Sequence, residues 1–266
     1  MDKIVITGHK GFVGKNLFTQ FTSVIGIDEK YDMKYINNFL DIHNPDVVFH
    51  IGACSDTLAT DIGFVMERNY LSTKWITDWC ITNNKKIIYA SSAAVYGFDG
   101  KKPSNLYGWS KLMGEDYVVA RGGIALRYFN VYGPGELVDS HMAAVIGKWR
   151  SQAEKNYPIT IVGDGNQRRD FTHIDDIVDG LIKIAESDEK HEDAWELGTG
   201  NNYSLNEVYE MFKEKFNSVK VYMSEEKGNY RETIRINDDA LNRLGWQPKD
   251  QLKEYINEIK LRNNGL

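Results

Sequence analysis

Residues 3–14 read KIVITGHKGFVG, a short apolar run that leads directly into a glycine-rich turn. Gly8, Gly11 and Gly14 are spaced three apart, which is a variant of the dinucleotide-binding fingerprint. The first glycine of that fingerprint permits a tight turn, the second lets a pyrophosphate approach the backbone, and the third packs the helix against the strand. Free N–H groups at the start of the following helix then face the phosphates. The stretch therefore predicts a strand–turn–helix unit that binds a dinucleotide.

The end of the second apolar run indicates which dinucleotide binds. Asp28 lies 20 positions after Gly8, where a carboxylate accepts hydrogen bonds from the adenosine ribose hydroxyls and repels a 2′-phosphate. This favours NAD over NADP as the cofactor, although a tight turn with a solvated Asp28 is an alternative. Asp32 and Met33 begin a short segment before the third run, and we expect them beside the adenine. An ordinary polar turn explains that pair almost as well.

Short β-branched runs alternate with amphipathic stretches through most of the chain. Strands separated by helices imply βαβ crossovers and an α/β fold with a doubly wound parallel Rossmann sheet. Strands are predicted at Lys3–Thr7, Val24–Asp28, Val47–Ile51, Lys86–Ala90, Ile124–Phe129 and Ala194–Leu197, and helices at Asp61–Thr82, Tyr107–Ala120 and Asp175–Ala185.

A Gly-Pro-Gly break at 133–135 suggests where this regular alternation ends. The sequence predicts an NAD-binding Rossmann core over 1–132, completed by 170–199. Residues 133–169 and 200–266 are predicted to form a smaller, discontinuous C-terminal lobe that binds the substrate.

Composition narrows the class of protein. The 266 residues are 42% hydrophobic and 26% charged, with a net charge of −6 and no basic stripe that argues for nucleic acid. No apolar run approaches the roughly 20 residues of a membrane span. The chain enters a strand within three residues, so no signal peptide is expected. Two cysteines, Cys54 and Cys80, form neither a disulfide framework nor a metal pattern. We expect a cytoplasmic protein without a metal site.

Tyr107 and Lys111, in YGWSK, are spaced i, i+4 and share one helix face. A free phenol titrates near pH 10, so it needs help to act as a base at neutral pH. A nearby ammonium and a positive nicotinamide ring both favour the phenolate. Lys111 would also hydrogen-bond the nicotinamide ribose. Ser92, at the end of the fourth strand, would bind the substrate hydroxyl from which Tyr107 takes the proton. Tyr-x-x-x-Lys alone is common on helix surfaces, so the combination with Ser92 and the glycine turn carries the interpretation.

The sequence resembles the extended short-chain dehydrogenase/reductases that act on nucleotide sugars. The matching blocks are GHKGFVG, FHIGA, ASSAAVYG, YGWSK, YFNVYGP, GDGNQRRDFTHIDD, LGTG and LGW. The resemblance implies a catalytic triad of Ser92, Tyr107 and Lys111, with Ser91 as an alternative to Ser92. It also implies a nucleotide-diphosphate sugar as substrate, and a homodimer that pairs the Tyr107 helix and the helix near 61–83.

The resemblance assigns binding residues as well. Asn130 and Arg169 match positions that hold the substrate diphosphate, and either Lys227 or Arg231 matches a basic residue that grips it from the second lobe. An ion pair with Asp170 or Asp175 is the alternative role for Arg169. The remaining predicted contacts are Phe12, Val13, Ala53 and Asn69 for the cofactor and Ser55, Asp56 and Thr57 for sugar hydroxyls. Ser55 or Thr57 would equally serve as a helix N-cap.

The residues after Ser92 bear on the reaction. In the 4,6-dehydratases and uronate decarboxylases of this family, an acid typically follows the catalytic Ser or Thr. Here Ala93 and Ala94 follow, which transfer no proton and are expected to leave room for a sugar to turn. The predicted function is therefore an epimerase that oxidises the sugar transiently and returns the hydride to the opposite face.

Alternatives to this epimerase remain. They are a reductase or dehydratase, or a non-catalytic NAD-sensing protein on the same fold. Among epimerases, the blocks look most like ADP-heptose 6-epimerases and next like UDP-hexose 4-epimerases. The heptose group tends to carry a lysine in the loop that reads LVDSH here, and it commonly uses NADP.

Overall fold

The central sheet contains six parallel strands among the residues that the computed structural model describes, which are 3–28, 32–98, 100–140, 142–224 and 231–260. The strands of the chain are β1 (Ile4–Thr7), β2 (Val24–Ile27), β3 (Val47–His50), β4 (Lys86–Ser92), β5 (Ile124–Tyr128), β6 (Val131–Tyr132), β7 (Ile159–Val162), β8 (Arg168–Asp170), β9 (Thr172–His173), β10 (Trp195–Leu197), β11 (Asn202–Ser204), β12 (Lys220–Met223) and β13 (Glu232–Thr233). The order in the central sheet is β2-β1-β3-β4-β5-β10. This confirms the predicted Rossmann-type fold.

Helices connect and cover these strands. They are α1 (Phe12–Phe18), α2 (Met33–His43), α3 (Ile62–Met66), α4 (Ser72–Thr82), α5 (Leu106–Ala120), α6 (Val145–Glu154), α7 (Ile174–Glu186), α8 (Leu205–Phe216), α9 (Asp239–Leu244) and α10 (Leu252–Glu258). A π-helical turn, Glu67–Leu71, joins α3 to α4, so the predicted single helix over 61–82 is interrupted at its centre. Turns of this kind occur most often at functional sites.

Most of the sheet is buried on both faces because its strands are predominantly apolar, and the edge strand β2 is the exception, with Ile25 38% exposed. Alternate side chains of β1 point to opposite sides, so Ile4 and Ile6 pack with α1 and α7 while Val5 packs with α2 and α4. The chain leaves β1 for β2 on one side and returns to β3 on the other. That reversal creates a crevice at the carboxyl ends of the strands, where ligands of open α/β sheets bind.

A separate apolar cluster lies outside the central sheet. Trp149 of α6, Ile161 of β7 and Phe212 of α8 belong to it, together with buried residues of α10. Most of its members come from the predicted C-terminal lobe, but Tyr132 and Phe171 of the predicted core also belong to it, and Ala240 and Trp246 pack in the core of the central sheet. The boundaries of the two predicted domains stay a prediction.

Strand ends differ from the sequence expectation where they matter for the site. β4 continues two residues beyond Ala90 to Ser92, because Ser91 and Ser92 still pair with Arg127 and Tyr128 of β5. β2 ends at Ile27, so that Asp28 follows the strand directly. In the described part of the chain, no helix combines the length and apolarity that crossing a bilayer requires.

Candidate active site

A cavity of about 680 Å³ lies at the carboxyl ends of β1, β3 and β4. Its wall is formed by the glycine turn with Asp28, the loop after β3, the end of β4 with α5 and the loop before α6, together with Phe64, Arg68, Tyr128 and Val131. The predicted site residues in this wall are Gly8, Gly11, Phe12, Val13, Gly14, Asp28, Ala53, Ser55, Asp56, Tyr107 and Lys111. The topology thus brings predicted cofactor and catalytic residues from the glycine turn with Asp28, the loop after β3 and α5 to one site.

The glycine turn leaves no space for side chains. Gly8 has a φ of +69°, and a Cβ there would lie 2.6 Å from the Gly52 Cα. A Cβ on Gly14 would lie 2.1 Å from the Gly8 carbonyl oxygen. Gly11 precedes α1 without any side-chain cap, so the N–H groups of the first turn face the cavity without a competing side chain. This bare backbone fits the pyrophosphate of a dinucleotide.

Asp28 is the acidic residue in the part of the cavity wall that the glycine turn forms. Its Oδ2 accepts a hydrogen bond from the Lys10 backbone N–H at 3.0 Å and lies 3.8 Å from Nδ1 of His9. These contacts fix the carboxylate at the edge of the cavity, where the ribose of a dinucleotide would lie.

Asp32 and Met33 do not line the cavity. The Asp32 Oδ1 accepts a hydrogen bond from the Tyr35 N–H at 2.9 Å and caps α2. Met33 is 51% exposed and faces a separate groove that includes Trp75 and Trp79. These contacts fit the alternative interpretation of the pair as an ordinary polar turn, and contact with the adenine stays a prediction.

Tyr107 and Lys111 lie on α5 and both line the cavity. Asn105 begins this helix by accepting a hydrogen bond from the Gly108 N–H, which places Tyr107 in the first turn. Lys111 is only 2% exposed, and its Nζ lies 4.4 Å from the centre of the Tyr89 ring. Burial lowers the pKa of Lys111 to about 7, and the charge of Glu115 opposes that shift. The ammonium is thus poised to change charge near neutral pH.

The two serines at the end of β4 have different surroundings. Ser91 lines the cavity, but its Oγ donates a 2.5 Å hydrogen bond to Glu115 Oε2. Ser92 is half-buried, and its Oγ accepts a hydrogen bond from the Ala94 N–H at 3.1 Å. The Ser91 hydroxyl hydrogen is committed to a carboxylate, which favours Ser92 as the substrate-binding serine. Ser92 itself does not line the cavity, and its catalytic role stays a prediction.

A buried ion pair supports this end of the sheet. The Arg127 Nε donates to Glu115 Oε1 at 3.1 Å, and Arg127 Nη1 donates to the Tyr96 hydroxyl at 2.7 Å. Glu115 and Arg127 are both almost fully buried, so removal of either would leave an uncompensated charge in the interior. The pair fixes Ser91 and the middle of α5 relative to each other.

Asn69, in the π-helical turn, is buried and does not line the cavity. Its Oδ1 accepts from the Cys54 N–H at 2.7 Å, while its Nδ2 donates to the Cys54 carbonyl and to Ser110 Oγ. Asn69 thereby ties the loop after β3 to the helix that carries Lys111. These contacts give it a positioning role, and direct contact with the cofactor stays a prediction.

The loop after β3 supplies two of the three predicted sugar contacts. Ser55 and Asp56 line the cavity, and the Asp56 carboxylate accepts a hydrogen bond from the Leu58 N–H. Thr57 is exposed in the turn that follows and lies outside the wall. The cap of the next helix is Asp61, which excludes the alternative that Ser55 or Thr57 caps it.

The predicted diphosphate residues lie between the sheet and the second lobe. Asn130 has a φ of +28°, and its Nδ2 donates to the Asp170 carbonyl and to Thr233 Oγ1. A phosphate accepts hydrogen bonds, so Asn130 would have to release one of these acceptors to bind it. Its role as a phosphate ligand stays a prediction.

Arg169 is buried on β8, and its Nη1 donates to the Arg168 carbonyl at 2.8 Å. The carboxylates of its alternative ion pairs have other contacts. Asp170 accepts hydrogen bonds from the backbone of Thr199, Gly200 and Arg235, and Asp175 lies 3.5 Å from His173 Nδ1. Neither Asn130 nor Arg169 lines the cavity.

The basic residue of the second lobe is only partly described. Lys227 lies outside the described residues. Arg231 is exposed and makes two hydrogen bonds to the Asp164 carboxylate, at 3.1 and 3.0 Å, which lower the pKa of that group. Binding of a diphosphate by Arg231 would compete with this surface ion pair.

Ala93 and Ala94 are buried and do not line the cavity, so they do not make the room for a sugar that we expected of them.

Glu136 lines the cavity, although it is only 8% exposed, and it was not identified from the sequence. Its Oε1 accepts from the Tyr255 hydroxyl at 2.8 Å, and burial raises the pKa of Glu136 to about 7. The signal was an acid directly after the Gly-Pro-Gly break.

Comparison with known proteins assigns the chain to a family. Residues 4–198 match the model of the NAD dependent epimerase/dehydratase family. The chain belongs to that family. The matched range contains the whole glycine turn, the Tyr107–Lys111 pair and the strands that position them, and the family description agrees with NAD as the predicted cofactor.

Individual relatives share this architecture over most of their length. An ADP-L-glycero-D-manno-heptose-6-epimerase from Brachyspira hyodysenteriae is 31% identical over 82% of this chain and 82% of its own. The structure of MoeE5 in complex with UDP-glucuronic acid and NAD has 27% identity and a TM-score of 0.84, covering 96% of both chains. A UDP-N-acetylglucosamine 4-epimerase from Methanobrevibacter ruminantium, solved with UDP-N-acetylmuramic acid, has 26% identity and a TM-score of 0.87, covering 97% of this chain and 96% of that one.

Proposed function

We propose that this protein is an NAD-dependent epimerase of a nucleotide-diphosphate sugar. The sugar is oxidised to a transient keto-sugar, which turns or shifts, and the hydride returns to the opposite face of the same carbon. The observation that carries the proposal is the convergence of Tyr107, Lys111 and the bare glycine turn on one cavity. The similarity to proteins named as nucleotide-sugar epimerases supports the same class.

Each residue of the proposed site has a distinct task in this reaction. The glycine turn and Asp28 would hold NAD, which when bound would supply the acceptor and donor of the hydride. The Tyr107 phenolate takes the proton of the substrate hydroxyl and later returns it. Lys111, held protonated, lowers the pKa of that phenol by its charge. Ser92 holds the same hydroxyl in line with Tyr107. Epimerisation needs no further proton donor.

The residues that follow Ser92 argue against elimination. Ala93 and Ala94 occupy the two positions after Ser92, and neither can protonate a leaving hydroxyl. Asp139 lies in the loop before α6, at a separate surface depression. It forms an ion pair with Lys155 and accepts a hydrogen bond from Ser151 Oγ. Glu136 remains as an acid in the wall, with one oxygen held by Tyr255. A dehydratase would have to use Glu136 or Asp56.

The experiment that tests this function is a substrate panel. Purified protein is incubated with ADP-heptose and UDP-hexose donors and catalytic NAD, and the products are examined by NMR. We expect one donor to form an equilibrium mixture of two epimers without net NADH. Stoichiometric consumption of reduced cofactor would instead indicate a reductase. Bound NAD without turnover of any donor would indicate an NAD-sensing protein.

Cofactor preference is expected to depend on Asp28. Because its carboxylate repels a 2′-phosphate, the NAD-free protein should bind NAD at least tenfold more tightly than NADP, or about 1.4 kcal/mol. Asp28→Ser should reduce that ratio, whereas Asp32→Ser, which alters only a helix cap, should leave it unchanged. Fluorescence titration with both dinucleotides measures the ratios. A tenfold preference of the wild-type protein for NADP would contradict this role.

We also propose a homodimer formed through α3 and α5. These neighbouring helices expose Ile62, Trp109 and Met113, and grouped apolar side chains on a surface mark protein–protein contacts. Trp109 and Met113 lie one turn apart on the same face of α5, so a second copy of this surface would cover both. Sedimentation should therefore give twice the mass of the chain, and Trp109→Glu should reduce it to the chain mass. A wild-type monomer at micromolar concentration would contradict the proposal.

A further inference from the structure

Tyr89 lies behind the cavity wall, in the middle of β4. The side chain is 1% exposed and does not line the cavity, which is bordered here by its neighbours Ala90 and Ser91. Its ring face is turned toward α5, where the Lys111 Nζ lies 4.4 Å from the ring centre. A cation this close to a ring face is attracted by the negative centre of the π-system, and the attraction is greatest where water is excluded.

Gly114 provides the space that the ring occupies. A Cβ at position 114 would lie 2.6 Å from the Tyr89 Oη and 2.9 Å from its Cζ, so no larger residue fits while the ring stays in place. Gly114 is in the interior of α5, where glycine destabilises a helix relative to alanine. A glycine that weakens the helix three residues after Lys111 is explained by the need to admit the Tyr89 ring.

The other groups that face Lys111 do not replace the ring. His50 of β3 is buried, and burial together with the charge of Lys111 lowers the pKa of His50 to about 3, so it is neutral at physiological pH. Glu115 of α5 favours the ammonium, but its carboxylate is shared with Arg127 and Ser91. Tyr107 of α5 is the group that Lys111 is proposed to activate. The ring face therefore supplies attraction that is not divided among other partners.

We infer that Tyr89 is a positioning residue whose ring face, admitted by Gly114, holds the Lys111 ammonium charged and in place at the cavity. The inference rests on the proposed function, because it assigns Lys111 the task of activating Tyr107. Loss of the ring should release the proton of Lys111 at a lower pH, and loss of the hydroxyl alone should have little effect.

The test compares Tyr89→Phe, which keeps the ring face, with Tyr89→Leu, which removes it. The pKa of Lys111 is measured in NAD-free protein by NMR of ¹³C-labelled lysine, with Lys111→Arg to assign the signal. We expect the pKa to be retained in Tyr89→Phe and to fall by about one unit in Tyr89→Leu, a tenfold change in the protonation equilibrium. At pH 7, turnover of Tyr89→Leu should fall about fivefold with KM changed less than about threefold, since Tyr89 does not contact the substrate.

Gly114→Ala provides an independent test that leaves the tyrosine in place. We expect it to displace the ring and to lower the pKa of Lys111, and Gly114→Ala should cause no further decrease when added to Tyr89→Leu. An unchanged Lys111 pKa in both Tyr89→Leu and Gly114→Ala would overturn the inference. If Tyr89→Leu does not fold, Gly114→Ala alone decides the question. The NMR titration needs no substrate, so its result is separate from whether the protein proves to be an epimerase.

Discussion

Tyr107→Phe is expected to lower turnover by about two or more orders of magnitude while leaving NAD affinity nearly unchanged. The change removes the only atom of the side chain that can take and return the substrate proton, and general acid–base catalysis contributes about 10²–10⁴-fold. The phenyl ring keeps the packing of the first turn of α5. Turnover is measured with the donor identified in the panel, and NAD binding is measured by titration of NAD-free protein.

Tyr117→Phe is the matched control for this change. Tyr117 lies on the same helix, but its hydroxyl donates to Asp78 on the outer surface, far along α5 from the cavity. We expect Tyr117→Phe to keep wild-type turnover within about threefold, as surface substitutions usually change little. A Tyr107→Phe enzyme with comparable activity would show that the catalytic base lies elsewhere.

Arg169→Ala is expected to weaken binding of the product nucleoside diphosphate by roughly 2–4 kcal/mol. A guanidinium binds phosphate through charge-assisted, bidentate hydrogen bonds, and its removal leaves phosphate charge poorly compensated. Calorimetry with ADP and UDP measures the loss. The affinities of the variant and wild-type proteins are compared with whichever of ADP and UDP the substrate panel selects.

The neighbouring Arg168 provides the control for Arg169. Arg168 makes hydrogen bonds to Asn202 and an ion pair with Glu207 near the surface. Arg168→Ala removes the same charge from the same strand, so it should leave diphosphate affinity nearly unchanged. Equal affinity of the Arg169→Ala and wild-type proteins would show that Arg169 serves the structure of the second lobe.

The parts of the fold that sequence predicted well are those set by local pattern. β1 and the glycine turn follow from an apolar run and from three closely spaced glycines, the first of which, Gly8, has a φ of +69°. α5 follows from its periodicity. Such features need only neighbouring residues, so the sequence alone indicates them.

Features that depend on distant contacts were not predictable in the same way. The π-helical turn exists where Asn69 bonds to both Cys54 and Ser110, residues that are remote in sequence. Glu136 enters the cavity wall because Tyr255, over a hundred positions away, holds its carboxyl. Long-range packing decided both cases.

The most direct test of the epimerase proposal is to run the reaction in D₂O and locate deuterium in the product by NMR. Because the hydride leaves and returns on one carbon, we predict two epimers in equilibrium and no deuterium at the epimerised carbon. A 6-deoxy-ketosugar with solvent deuterium in its new methyl group would contradict the proposal, and it would identify Glu136 or Asp56 as the proton donor of a dehydratase.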